Sequence, residues 1–211
     1  MNEVEPTLTH ILVGDNAAAW GAAGFEVVDD TMAIGSVALV LQGSEAERGI
    51  LGWSFDGWNT AIDGLAIRER TAAGTGGSTH PNGVLAIDHV VIATPDVDRT
   101  IAAFTSAGFR LRREGRTESY GAPMRQAFCK AGDVILEIVG PEDGTGDGPA
   151  TFFGLAFTVA DLDAACALLG DRIGAAKNAV QPGRRIATPR HQQLDVSLPI
   201  LFMSPSKGRT P

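Results

Sequence analysis

Glu137 stands inside Val134-Ile135-Leu136-Glu137-Ile138-Val139, one carboxylate among five aliphatics. Burying a carboxylate there is costly unless it is paired or hydrogen-bonded. Two readings follow. In one, Glu137 faces a pocket and serves as a general base. In the other it is a structural carboxylate held by an arginine or by backbone. Side chains alternate along a strand, so Glu137 shares a face with Ile135 and Val139. His89, between Asp88 and Val90, poses the same choice between a catalytic group and a hydrogen-bonded core histidine.

Other polar side chains can join that face. A two-residue turn at Ala131-Gly132 sets Gln126 opposite Glu137; a turn one residue longer sets Ala127 there. Arg125 and Arg185 hold equivalent places in Arg125-Gln126-Ala127-Phe128 and Arg185-Ile186-Ala187-Thr188. As pocket residues they suit carboxylate or phosphate recognition; the alternative is a solvated edge. Arg184 neighbours Arg185, so only one of the two points inward from a regular strand. Trp53 and Trp58, either side of Asp56-Gly57, cover a ligand or fill the N-terminal core.

Several chemistries lack their motifs. The chain has no GxSxG elbow, no phosphate loop and no HExxH helix. Asp143-Gly144-Thr145-Gly146-Asp147-Gly148 lacks the spacing and terminal Glu of a calcium loop. Cys129 and Cys166 form no CxxC and read as small buried hydrophobes. Lys and Arg number 17 against 25 Asp and Glu, a formal charge of −8, which argues against nucleic acid and anionic membranes as partners. No apolar run reaches the roughly 18 residues of a membrane span. The start Met1-Asn2-Glu3-Val4-Glu5-Pro6 does not read as a secretion signal, so a cytoplasmic location is expected.

The elements that must position these residues recur along the chain. Leu85–Ala93 is a β-rich run. Asp96 follows as an N-cap, and Val97, Ile101 and Phe104 recur at helical spacing up to Gly108, which suits a helix end. A strand starts at Phe109, and Met124–Lys130 and Val134–Val139 form a hairpin through Ala131-Gly132-Asp133. From Phe153 the order returns: Gly154–Val159 as a strand, a helix from Asp161 with Leu162, Cys166 and Leu169 inward, then strands at Arg184–Thr188 and Leu198–Met203, with Pro199 at a strand start or edge. A weaker copy lies in front. Thr9-His10-Ile11 matches Asp88-His89-Val90, and Gly35–Glu45 aligns without gaps to Gly132–Glu142. Gly52-Trp53-Ser54-Phe55 opens a fourth, truncated copy. The expected class is α+β, with repeated βαβββ modules forming a curved mixed sheet and helices outside. The expected organisation is a degenerate N-terminal part over 1–70, a Gly/Ser/Thr-rich linker over 71–83, and a paired domain over 84–206 with modules 84–142 and 152–206.

Ile87–Asp98 and Val134–Pro141 strongly resemble the opening and closing strands of a glyoxalase/bleomycin-resistance (vicinal oxygen chelate) module. The resemblance covers residues 84–206 well and 8–57 weakly. In metal-using members each paired module offers a His on its first strand and a Glu on its last. The first module here matches with His89 and Glu137. In the second, Gly154 and Leu201 stand at those places. In the N-terminal copy His10 matches, but Val40 replaces the Glu. Two protein ligands are too few for Zn²⁺, so a divalent metal would need a third, with His10 or His191 as candidates. The cofactor is left open.

Two functions remain. The first is binding of a small organic molecule in a concave pocket without the family's complete metal site. The second is a lyase, isomerase or dioxygenase using Glu137 as base, or as metal ligand with His89. Arg125, Gln126, Arg185 and Trp53 are the candidate ligand contacts, and the chain is a monomer or a homodimer.

Overall fold

The computed structural model describes residues 5–43, 47–69, 79–119 and 122–206. Three similar units follow one another. The first has β1 (Thr7–Val13), α1 (Ala17–Ala22), β2 (Thr31–Ile34), β3 (Val37–Leu41) and then β4 (Ile50–Asp56). The second has β5 (Val84–Ala93), α2 (Val97–Ser106), β6 (Leu111–Ser119), β7 (Ala122–Ala131) and β8 (Val134–Pro141). The third has β9 (Thr151–Val159), α3 (Leu162–Leu169), β10 (Lys177–Asn178), β11 (Arg185–Ala187) and β12 (Ile200–Met203).

Each helix starts on the same device. The side chains of Asn16, Asp96 and Asp161 accept backbone N–H groups of Ala19, Arg99 and Ala164, satisfying donors that a helix start leaves open. Helix α2 buries Val97, Thr100 and Phe104, and Gly108 beyond its end adopts φ +87°, the left-handed conformation suited to glycine.

The strands form two sheets, one in the order β2-β3-β1-β4 and one in the order β10-β11-β12-β9-β5-β8-β7-β6. The larger sheet is built about its centre, where β5 and β9 run antiparallel and each takes the closing strand of its own module in parallel. The fold is thus α+β with a mixed sheet.

The repeat extends to register. His89 lies beside Ile135 and Val91 beside Glu137; His10 lies beside Ala38 and Leu12 beside Val40. Val90 faces Leu155 and Val91 faces Gly154, as Ile11 faces Trp53 and Leu12 faces Gly52. β4 therefore sits against β1 as β9 sits against β5.

The β7–β8 turn corrects both sequence expectations for the residue facing Glu137. Ala131 pairs with Val134, so the turn residues are Gly132 and Asp133, with Gly132 at φ +69°. Glycine first in a two-residue hairpin turn is the type II′ arrangement, whose twist matches the strands. Phe128 then faces Glu137 directly, and Gln126 faces Val139. Gly35, at φ +61°, leads the same turn between β2 and β3.

Both sheets share one core. Trp20 packs edge-on to Phe25 and Phe157, at 5.1 and 6.3 Å between ring centres. Trp53 packs against Phe104 and Phe152 at 6.1 and 4.8 Å. Of the expected linker, residues 71–78 lie outside the described residues. His80 and Asn82 are buried. His80 accepts the Glu26 N–H at Nδ1 and meets the Ala33 carbonyl through Nε2. Asn82 donates to the Ala23 carbonyl and accepts from the Val84 N–H. No helix among the described residues is long and apolar enough to cross a membrane.

Candidate functional site

Strand alternation divides β8 cleanly. Val134, Leu136, Ile138 and Gly140 are buried, while Ile135, Glu137 and Val139 are half-buried on the other face. Helix α2 lies on the buried side: a Cβ on Gly140 would come within 2.8 Å of Val97 Cγ2. Glu137 thus faces away from the helix layer.

A bulge sets up its neighbour. Ile87 pairs with Phe157 and His89 with Ala156, so Asp88 is an extra residue in β5. Its carboxylate reaches along the strand, with Oδ1 3.1 Å from His89 Nδ1. A carboxylate only accepts, so this contact places the proton on Nδ1. His89 Nε2 lies 3.4 Å from Glu137 Oε2, and Gln126 donates to Glu137 Oε1 at 2.6 Å. Although Phe128 is the direct partner of Glu137, Gln126 reaches it from the diagonal position.

Behind His89, the Asp88 carboxylate is fixed from two further sides. Arg184 donates to Oδ2 at 2.7 Å and Thr158 at 3.0 Å. Burial would raise the Asp88 pKa, but hydrogen bonds from His89 and Arg184, with the charge of Arg184, hold it well below the usual carboxylate range. The result is a continuous polar chain, Arg184–Asp88–His89–Glu137–Gln126, across the open face of the sheet.

Two clefts open on either side of it. One, of about 350 Å³, is walled by Val91, Met124, Val139 and Phe153, with Thr94, Thr151, Gln126 and Glu137 as its polar lining. The other, of about 240 Å³, is bordered by His89, Arg113, Phe128, Lys130, Gln181 and again Glu137. Glu137 is common to both.

The remaining candidates lie elsewhere. Arg125 is tied to Asp98 and Glu114 at 2.9 and 2.8 Å, and Arg185 to Asp163 at 2.8 Å; neither borders these clefts. Of the adjacent arginines, Arg184 points inward and Arg185 outward. Trp53 is completely buried, so the expected ligand contact is instead a core residue. His10 belongs to the smaller sheet, and His191 Nδ1 contacts the Val196 carbonyl at 2.9 Å. Cys129 is buried, and burial pushes its thiol up to about 11, far from nucleophilic. Asp88, Thr158, Arg184, Arg113 and Lys130 were not among the expected site residues. The sequence signal for the bulge is the apolar spacing Ile87, Val90, Ile92, which steps by three before it steps by two.

The donor set does not suit a divalent ion held by this protein. His89 and Glu137 meet, but among the described residues no group of three or more His, Cys, Asp or Glu is arranged to hold one. At Gly154 a Cβ would come within 2.5 Å of the Pro199 carbonyl oxygen, so that position has no room for a side chain.

Residues 88–188 match the family model of the Glyoxalase/Bleomycin resistance protein/Dioxygenase superfamily. A mutant of 4-hydroxymandelate synthase from Streptomyces coelicolor is similar over 100% of this chain and 95% of that one, with 14% identity and a TM-score of 0.62. A mutant of homoprotocatechuate 2,3-dioxygenase from Brevibacterium fuscum is similar over 98% and 74%, with 14% identity and a TM-score of 0.59. Methylmalonyl-CoA epimerase from Mycobacterium tuberculosis shares 24% identity over 59% of this chain and 90% of that chain, with a TM-score of 0.48. No curated protein matches the sequence. At these identities the first two likenesses concern the fold alone.

Proposed function

We propose that this chain, whose residues 88–188 belong to the glyoxalase/bleomycin resistance protein/dioxygenase superfamily, binds a small organic molecule against Glu137 on the open face of its larger sheet. One observation carries the reading. Glu137 lies at the common edge of two clefts, held in place by Gln126 with His89 Nε2 3.4 Å away, while the wall beside it is largely apolar. Concave apolar sites with a few fixed polar groups are the usual form of a small-molecule site. The apolar walls supply affinity and the Glu137 carboxylate orients a donor of the ligand.

The test uses octanamide, an apolar chain with an N–H donor. Titration followed by amide NMR is expected to move resonances of Val91, Ala93 and Val139, and Val139→Trp, which fills the cleft, is expected to abolish the shifts. No shift at these positions, or shifts indifferent to Val139→Trp, refutes the proposal.

A second reading, a lyase or isomerase, has the Asp88–His89–Glu137 chain in its favour. Asp88 fixes the imidazole tautomer and aims Nε2 at Glu137, so a proton taken by Glu137 has a neighbouring acceptor within 3.4 Å.

A further inference from the structure

We propose that the ligand is an organic acid, and that the cleft beside His89 takes its anionic group between Arg113 and Lys130. This rests on the binding reading above and names the ligand class. The charge inventory points to it. Around the larger sheet, Arg112, Arg116, Arg125, Arg184 and Arg185 each have a carboxylate partner. Among the described residues there, Arg110, Arg113, Lys130 and Lys177 have none, although the chain as a whole carries an excess of acid, and of these only Arg113 and Lys130 border a cleft beside Glu137. Both border the same cleft.

Register explains the convergence. Arg113 faces Phe128, Phe128 faces Glu137, and Glu137 lies beside Val91, so these residues form one row across the sheet. Lys130, Ile135 and His89 form the next. The bulge at Arg112, between the Leu111 and Arg113 pairings, sends Arg112 to Glu5 and leaves Arg113 in the row. The Arg113 guanidinium carbon sits 4.5 Å from the centre of the Phe128 ring. Stacking occupies a face of the guanidinium and leaves its N–H edge free for a carboxylate.

The two clefts therefore differ in kind, one aliphatic and one cationic, with Glu137 between them. Arg113 lies two strands from Glu137, about 10 Å at Cα. A ligand with an apolar body in the larger cleft and a carboxylate at Arg113 and Lys130 bridges that distance. The reverse orientation would put the carboxylate in the larger cleft, whose lining holds no Lys or Arg to offset it.

The test compares octanoate with octanamide, by calorimetry and NMR, on wild type, Arg113→Gln/Lys130→Gln and Val139→Trp. The expected result is that octanoate binds roughly tenfold tighter than octanamide, the scale of one charge-assisted hydrogen bond. The double variant should lose that preference while keeping octanamide affinity and melting temperature, since both altered side chains are exposed. Equal binding of the two probes to wild type, or a preference that survives in the double variant, overturns the anion site. If that happens while Val139→Trp still blocks both probes, the binding reading stands without it. If neither probe binds wild type, both proposals fall.

Discussion

Arg184→Met removes the group on which the polar chain behind Glu137 depends, and its cost can be worked from the structure. The Arg184 side chain is 7% exposed and that of Asp88 9%. Arg184 donates to the Ser204 carbonyl and Gln181 Oε1, each at 2.8 Å, and to Asp88 at 2.7 Å. Breaking a buried ion pair by removing one partner costs about 3–5 kcal/mol, because the other charge stays buried. Asp88 keeps the Thr158 hydroxyl and His89, which places the expected loss near the lower limit, about 3 kcal/mol. For a chain of this length that corresponds to a fall in Tm of about 6–12 °C. Urea unfolding at neutral pH reads the loss, and the pair of variants Asp88→Asn and Arg184→Met, alone and combined, separates interaction from truncation. The combined variant should be more stable than the sum of the single losses implies, by about 2 kcal/mol. Acid adds a second readout. Asp88 has a lowered pKa in the folded protein, so its stabilisation is complete above the unfolded value of about 3.9 and is lost as pH falls through the folded one. Without Arg184 that depression shrinks, so the gap between wild type and Arg184→Met should narrow below about pH 4. A loss under about 1 kcal/mol, additive single losses, or a gap that persists in acid would refute the account.

Two further expectations follow from local geometry. Gly154→His, which puts a histidine where Pro199 crowds the backbone, should destabilise the protein by about 1–3 kcal/mol without creating metal affinity; denaturant unfolding with and without Zn²⁺ reads both, and an undiminished midpoint would count against the crowding by Pro199. Burial lowers the pKa of His80, so the unfolded chain takes up a proton that the folded chain accepts only at lower pH, and stability should decline as pH falls below about 6.5. His80→Asn should flatten that part of the pH profile, and an unchanged slope would remove His80 as its source.

The module order was legible because its cues are local. Asp96 and Asp161 before apolar helical spacing, and the aliphatic runs at β5 and β8, announce themselves residue by residue. The weak N-terminal copy was legible through the gap-free match of Gly35–Glu45 to Gly132–Glu142, because both stretches share one turn chemistry. The face of Glu137 followed from alternation. Its direct neighbour did not, because the hairpin centre had to be guessed among Ala131, Gly132 and Asp133, and a shift of one residue changes the partner. The Asp88–His89 contact was hidden for a related reason: strict alternation sends adjacent side chains to opposite faces, and only the bulge reunites them. Arg125 and Arg185 looked alike, each open between a pocket and a solvated edge, and acids elsewhere in the sequence, Asp98, Glu114 and Asp163, hold them away from the clefts. Trp53 stayed open between a pocket wall and the N-terminal core because a sequence does not reveal which aromatics have aromatic company.

That company has a wider consequence. Phe25 lies 5.2 Å from Phe157 and 6.2 Å from Phe202, so rings contributed before residue 30 complete the packing of strands that close the chain. Cutting at the segment before Val84 would not release a ready-made unit; it would strip an aromatic layer from the back of the large sheet and leave it greasy and prone to self-association. The N-terminal half, with Val40 in the register place of Glu137, acts as the foundation on which the other half's open face is held in shape.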